Sequence, residues 1–141
     1  MKKTKAISII SKIKEHANGF IMQSLAQHGV RGLVPSHGDI LMVLFHKQNV
    51  TMRDIADTIH RTKPTVTVLV AKLADLGLVK KEQSPIDARV SYVELTDKGR
   101  EFREVFEVIS LELTQKLFQG FSEVEQKELE AYLDRVYSNI R

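Results

Sequence analysis

The segment Asp87-Ala88-Arg89-Val90-Ser91-Tyr92-Val93-Glu94-Leu95-Thr96-Asp97-Lys98-Gly99 constrains the fold more than any other part of the chain. A charged turn leads into a run with the period of a half-buried strand, and Thr96 stands where a helix can begin. The preceding stretch, Thr51 to Val79, reads as two short helices about a tight turn. Helix, turn, helix and hairpin in that order fit a winged helix-turn-helix, a module that grips DNA. The fold expected is therefore mainly α with a small β-hairpin wing.

The turns and caps sharpen this reading. Thr51-Met52-Arg53-Asp54 sets a cap residue three positions before an acid, and Met52, Ile55, Ala56 and Ile59 share one face of the helix that follows. His60-Arg61 makes the turn, Thr62 caps the second helix, and Pro64 falls in its first turn, where a missing amide hydrogen is harmless. Val66, Leu69, Val70, Leu73 and Leu76 point inward on that helix, and Gly77 ends it. Leu78 to Glu82 and Val90 to Glu94 are expected to pair as a two-stranded hairpin, with Ser84-Pro85-Ile86-Asp87-Ala88 as its turn.

Helical periodicity marks the remainder. Ile9, Ile10, Ile13, Ala17, Phe20, Ile21 and Leu25 recur every three or four positions from about Ala6 to Ala26. Ser36 is the expected N-cap of a helix carrying Ile40, Leu41, Leu44 and Phe45. Thr96 launches a long helix with Phe102, Phe106, Ile109, Leu113 and Leu117 that stops at Gly120, and Ser122 to Glu125 is a capping box for a last striped helix. That terminal stripe is covered either by its own chain or by a second copy, and a helical dimer interface is the favoured reading. The organisation expected is one unit over 1–141, with a winged helix-turn-helix at 36–98 flanked by N- and C-terminal dimerisation helices at 1–30 and 100–141.

The 141 residues are 43% hydrophobic, enough for one sizeable core. With no cysteine, disulfides, thiolate metal sites and thiol redox sensing are excluded within this chain. Charged residues Lys12, Lys14 and Glu15 interrupt the apolar positions of the N-terminal segment, so no membrane span is expected and the cytoplasm is the expected location. The net charge of +3 is unevenly placed. Residues 60–81 hold Arg61, Lys63, Lys72, Lys80 and Lys81 against Asp75 alone, whereas acids outnumber cations over residues 104–141. The middle of the chain suits phosphate; an ordinary solvated face is the alternative.

Projected at 100° per residue, the second helix of the pair turns Pro64, Thr67, Val68, Ala71 and Asp75 outward, with Lys63, Thr65 and Lys72 at the margins. Val68 and Ala71 suit thymine methyl groups in a major groove, or else they touch the wing or another subunit. Thr65 and Thr67 can bond base edges or phosphates. Arg89, two residues after Asp87, can be aimed by that acid into a narrow minor groove, or the two form a plain surface ion pair.

At this point the chain resembles the MarR-type winged-helix transcriptional regulators, along essentially its whole length. The family pattern Asp-x-Arg, three residues, Val-x-Leu-Thr-x-x-Gly is matched by Asp87, Arg89, Val93, Leu95, Thr96 and Gly99, and Lys72 to Val79 resembles the end of its recognition helix. The resemblance implies an obligate homodimer on double-stranded DNA, with a recognition helix in each of two major grooves and Arg89 in the flanking minor grooves. DNA-binding positions are then Arg61, Thr62, Lys63, Thr65, Thr67, Val68, Lys72, Asp87 and Arg89. The chain departs from many members at Val68, where they carry arginine, and near Thr62 and Pro64, where they carry an acid or serine. A phosphate contact at Val68 is therefore not carried over.

The resemblance further implies release from DNA by a small aromatic or phenolic effector in a crevice between the dimer helices and the DNA module. Phe20, Ser24, His37 and Phe106 are the candidate lining, with plain core roles as the alternative. The five histidines form no helical zinc pair, although His37 with Glu15 and His28 could assemble a site from distant segments; no metal and no cofactor is expected. No phosphate-binding glycine loop, nucleophile elbow or paired carboxylate points to an enzyme. The function expected is a transcriptional regulator, most simply a repressor on a palindromic operator, with a protein-binding winged helix as the alternative.

Overall fold

The computed structural model describes residues 1–141 as six helices and one small sheet. The elements are α1 (Ala6–Gln27), α2 (Pro35–His46), β1 (Val50–Thr51), α3 (Met52–Ile59), α4 (Lys63–Asp75), β2 (Val79–Gln83), β3 (Ser91–Leu95), α5 (Asp97–Leu117) and α6 (Glu123–Ile140). No helix is long and apolar enough to cross a membrane.

Local chemistry accounts for most boundaries. Thr51 and Asp54 close a reciprocal capping box on α3, each backbone N–H donating at 3.0 Å to the other residue's side chain. These bonds to the carboxylate, the one from the Thr51 backbone first, hold Asp54 below the usual aspartate range. His60 takes the left-handed conformation (φ 56°) that reverses the chain between α3 and α4. Gly77 (φ 76°) does the same after α4, where a side chain would be strained. Ser122 and Glu125 form the capping box of α6.

Three expectations are corrected. The sheet has three strands in the order β1-β3-β2, not two. Val50 pairs with Val93 and Thr51 with Tyr92, and a two-residue strand has too few positions to display any period. The hairpin lies one residue later than expected, with Val79 opposite Leu95 and Gln83 opposite Ser91, because the Ser84 N–H bonds the Val90 carbonyl and closes the turn just beyond that last pair. The N-cap of α2 is Val34 rather than Ser36: Pro35 takes the first helical position. With no cap oxygen available, His37 Nδ1 accepts the Val34 N–H at 2.8 Å.

The core lies where α2, α3, α4 and the sheet meet the middle of α5 and the end of α1. Leu25, Ile40, Leu41, Ile55, Val66, Leu73, Val93 and Ile109 are the fully buried side chains, each contributing about 1.5–3 kcal/mol by leaving water. Phe106 packs edge-on against both Phe45 and Phe102. In contrast, α6 buries no residue, and Leu129, Tyr132, Leu133, Val136 and Tyr137 stand exposed along it. Ile7, Ile9, Ile10 and Ile13 are likewise exposed on the first turns of α1.

Candidate nucleic-acid interface

The outward face of α4 is built from its cap. Thr62 Oγ1 accepts the Thr65 N–H and donates its own proton to Thr65 Oγ1 at 2.9 Å, so the start of the helix is tied at both backbone and side chain. Val66, Leu69, Val70 and Leu73 are buried, which turns Pro64, Thr65, Val68, Ala71, Lys72 and Asp75 to solvent. Val68 is 70% exposed, high for a branched apolar residue on a well-packed helix. Thr67 donates to the Lys63 carbonyl at 3.0 Å. The Lys72 ammonium lies beside Gly32, 3.4 Å from where a Cβ would stand, so this cation faces the α1–α2 loop.

The wing is a braced loop. Ser84 Oγ accepts the N–H groups of Ile86 and Asp87, Val90 N–H donates to the Asp87 carbonyl, and Gln83 Nε2 donates to the Ala88 carbonyl. Asp87 receives three bonds from Arg89: backbone N–H and Nε to Oδ1 at 3.0 and 3.1 Å, and Nη2 to Oδ2 at 3.2 Å. The guanidinium bonds, and next the backbone one, hold the Asp87 carboxyl below the usual range. Arg89 is oriented yet 90% exposed, as a group reaching toward a ligand must be. Ile86 stands at the tip, almost wholly in solvent.

Between α4 and the wing lies a cleft of about 450 Å³ lined by Thr51, Met52, Arg53, Lys63, Thr67, Lys81, Arg89, Val90 and Ser91. Four cations border it and no acid does. Arg53, Lys63 and Lys81 form no ion pair, whereas the neighbouring Lys80, on the other side of β2, is held by Glu94 at 3.6 Å. Such a concentration of unpaired charge is an anion site in electrostatic terms. Of the residues singled out in the sequence, Lys63, Thr67 and Arg89 meet here. Arg61 and Thr62 lie at the entry to α4, and Val68 faces open solvent. Arg53 was missed, and Lys81 was counted in the basic stretch 60–81 but not among the DNA-binding positions; strand alternation, which sends Lys80 and Lys81 to opposite sides, was the signal that separates them.

The four residues expected to line an effector crevice are separated. Phe20 opens onto a cavity of about 730 Å³ between α1 and α5, where Lys116 Nζ lies 5.2 Å from its ring centre. Phe106 borders a different cavity of about 350 Å³ between α2 and α5, with Met42 and Phe45. Ser24 and His37 are buried, the latter occupied in capping α2. Burial lowers the His37 pKa, and the charge of Lys72 pushes the same way. No group of three His, Asp or Glu side chains is placed to hold a metal, and His28 is turned to the Ser24 carbonyl.

Comparison with known proteins gives a consistent outcome. A family model described as MarR family matches residues 31–90. The transcriptional regulator MhqR of Bacillus subtilis is 28% identical over 98 residues, which span 70% of this chain and 66% of that protein. The structure of a MarR transcriptional regulator from Methanosarcina mazei superposes with a TM-score of 0.87 at 23% identity, covering 97% of this chain and 96% of that one. The MepR–DNA complex of S. aureus superposes with a TM-score of 0.86 at 27% identity, covering 99% and 100%.

Proposed function

We propose that this chain, similar to the MarR family of winged helix-turn-helix regulators, is a transcriptional regulator that binds double-stranded DNA sequence-specifically and represses by occupying a promoter. The cleft between α4 and the wing, with four cations and no acid, carries this reading. A phosphate lodged there lies between a major groove entered by α4 and a minor groove reached by Arg89, so one strand is gripped at three successive places. Arg61, Thr62 and Thr65 meet the backbone at the helix start, where unpaired amide hydrogens favour negative charge.

The acting unit is a homodimer. The stripes of α1, the end of α5 and α6 leave an apolar surface of a kind that an obligate interface covers. Their charges are complementary, since α1 begins among lysines while α6 carries Glu123, Glu125, Glu128, Glu130 and Asp134. Two-fold symmetry predicts a palindromic operator with half-site centres about 34–36 Å apart. A small aromatic effector would enter the α1–α5 cavity beside Phe20, beneath the partner's helices, and change the separation of the two α4 helices.

Selection from random duplex DNA, followed by footprinting at graded salt, tests the reading. A short palindrome bound more weakly as salt rises supports it. Sequence-indifferent binding, or a salt-insensitive complex with another protein through Val68 and Ala71, overturns it in favour of an interaction module.

A further inference from the structure

The exposed face of α4 is short of the groups that read bases by hydrogen bonds. Between Lys63 and Asp75 there is no arginine, asparagine or glutamine, the side chains that make bidentate contacts with guanine and adenine. The hydroxyl protons of Thr62 and Thr67 are already donated, to Thr65 Oγ1 and the Lys63 carbonyl. Lys63 lines the cleft beside the wing, and Lys72 lies beside Gly32. Thr65 keeps a free hydroxyl proton but sits in the first turn of α4, and what remains at the centre of the face is Val68, 70% exposed, with Ala71 one turn further along, about 5–6 Å away.

We infer that α4 reads its operator chiefly through methyl contacts, Val68 and Ala71 packing on the 5-methyl groups of thymines in the major groove. This rests on the DNA-binding function proposed above and narrows its target to sites with thymines facing the middle of α4. The thymine methyl is the one apolar group that the major groove presents, and only an apolar side chain gains from covering it. Hydrogen bonds and ion pairs from Lys63, Arg53 and Lys81 then act on phosphates and fix register without choosing the sequence, while Arg89 senses only the width of the flanking minor groove.

The experiment replaces single thymidines by deoxyuridine in the selected operator, which removes one methyl and leaves every hydrogen-bonding edge intact, and reads affinity by fluorescence anisotropy. Binding should weaken about fourfold at one or two positions in each half-site. In Val68→Ala, whose side chain is solvent-exposed and makes no fold-critical contact, that discrimination should shrink toward onefold at the position it covers, while Ala71→Ser alters a different position. Equal affinity for deoxyuridine and thymidine at every position, or discrimination unchanged in both variants, overturns the inference and leaves sequence-specific binding standing. Failure to select any preferred sequence overturns both.

Discussion

Gly99 on α5 lies directly against the carbonyl of Leu78, at the junction of α4 with β2, so that a Cβ on Gly99 would overlap the carbonyl oxygen. Thr96 braces the same joint: its hydroxyl donates to the Gly77 carbonyl and accepts the Gly99 N–H, capping α5 while tying it to the end of α4. Lys98 Nζ adds a bond to the Leu76 carbonyl. The start of α5 is thereby anchored to the end of α4.

Gly99→Ala should therefore cost about 1–3 kcal/mol, since the obstructing atom is backbone and cannot rotate aside. Thermal unfolding should show Tm lowered by several degrees. Thr96→Ala should lose about 1 kcal/mol from the cap, with a weaker effect on Tm.

Arg89→Ala should reduce operator affinity on the order of tenfold. Asp87→Asn should produce a smaller loss, because it frees the guanidinium without removing it. The pH dependence follows from the sign of the Asp87 shift. A depressed carboxyl contributes above its unfolded value and loses that contribution only as pH falls through the still lower folded pKa, below the ordinary 3.8. Affinity attributable to this pair should be flat from about pH 6 to pH 8, a result that anisotropy titrations check.

Arg53→Ala and Lys81→Ala should each weaken binding to all sequences alike and lower the slope of log affinity against log salt by about 0.9. Unchanged slopes would remove the cleft from the phosphate contacts.

His37 sets a different pH window. Burial depresses its pKa from the ordinary 6.5, and the Nδ1 that accepts the Val34 N–H must be bare. The unfolded chain thus binds the proton more readily, and the native state loses stability as pH falls below about 6.5. Tm should drop between about pH 7.5 and pH 5.5; His37→Asn, which keeps an acceptor near the α2 start, should flatten the curve.

Leu133→Glu or Tyr137→Glu on the exposed face of α6 should yield a folded monomer with little operator affinity. Sedimentation and far-UV circular dichroism together distinguish dissociation from unfolding.

Much of this architecture was legible in order of appearance along the chain. Thr51, Thr62, Thr96 and Ser122 each cap the helix expected after them, because a cap is a bond between residues two or three apart. The inward faces of α3 and α4 follow from spacing for the same reason. Ser36 failed as a cap because Pro35 could itself begin the helix and His37 supplied the acceptor. Strand β1 was unreadable, since two residues carry no period and Val50 becomes strand only by lying beside Val93.

The site divides along the same line. Asp87 and Arg89, two residues apart, could be paired from sequence, and the exposed position of Val68 from helical phase. The cleft could not: Arg53, Lys63, Lys81 and Arg89 come from α3, α4, β2 and the wing. Likewise Phe20 and Phe106 face separate cavities, and Lys72 turns to Gly32, through packing among distant segments. By itself the sequence determined helix phases, caps and the order of elements, all set by interactions within a turn or two. Only the tertiary structure decided which charges share a groove and which aromatic rings are core, because those outcomes depend on how separately determined elements pack against one another.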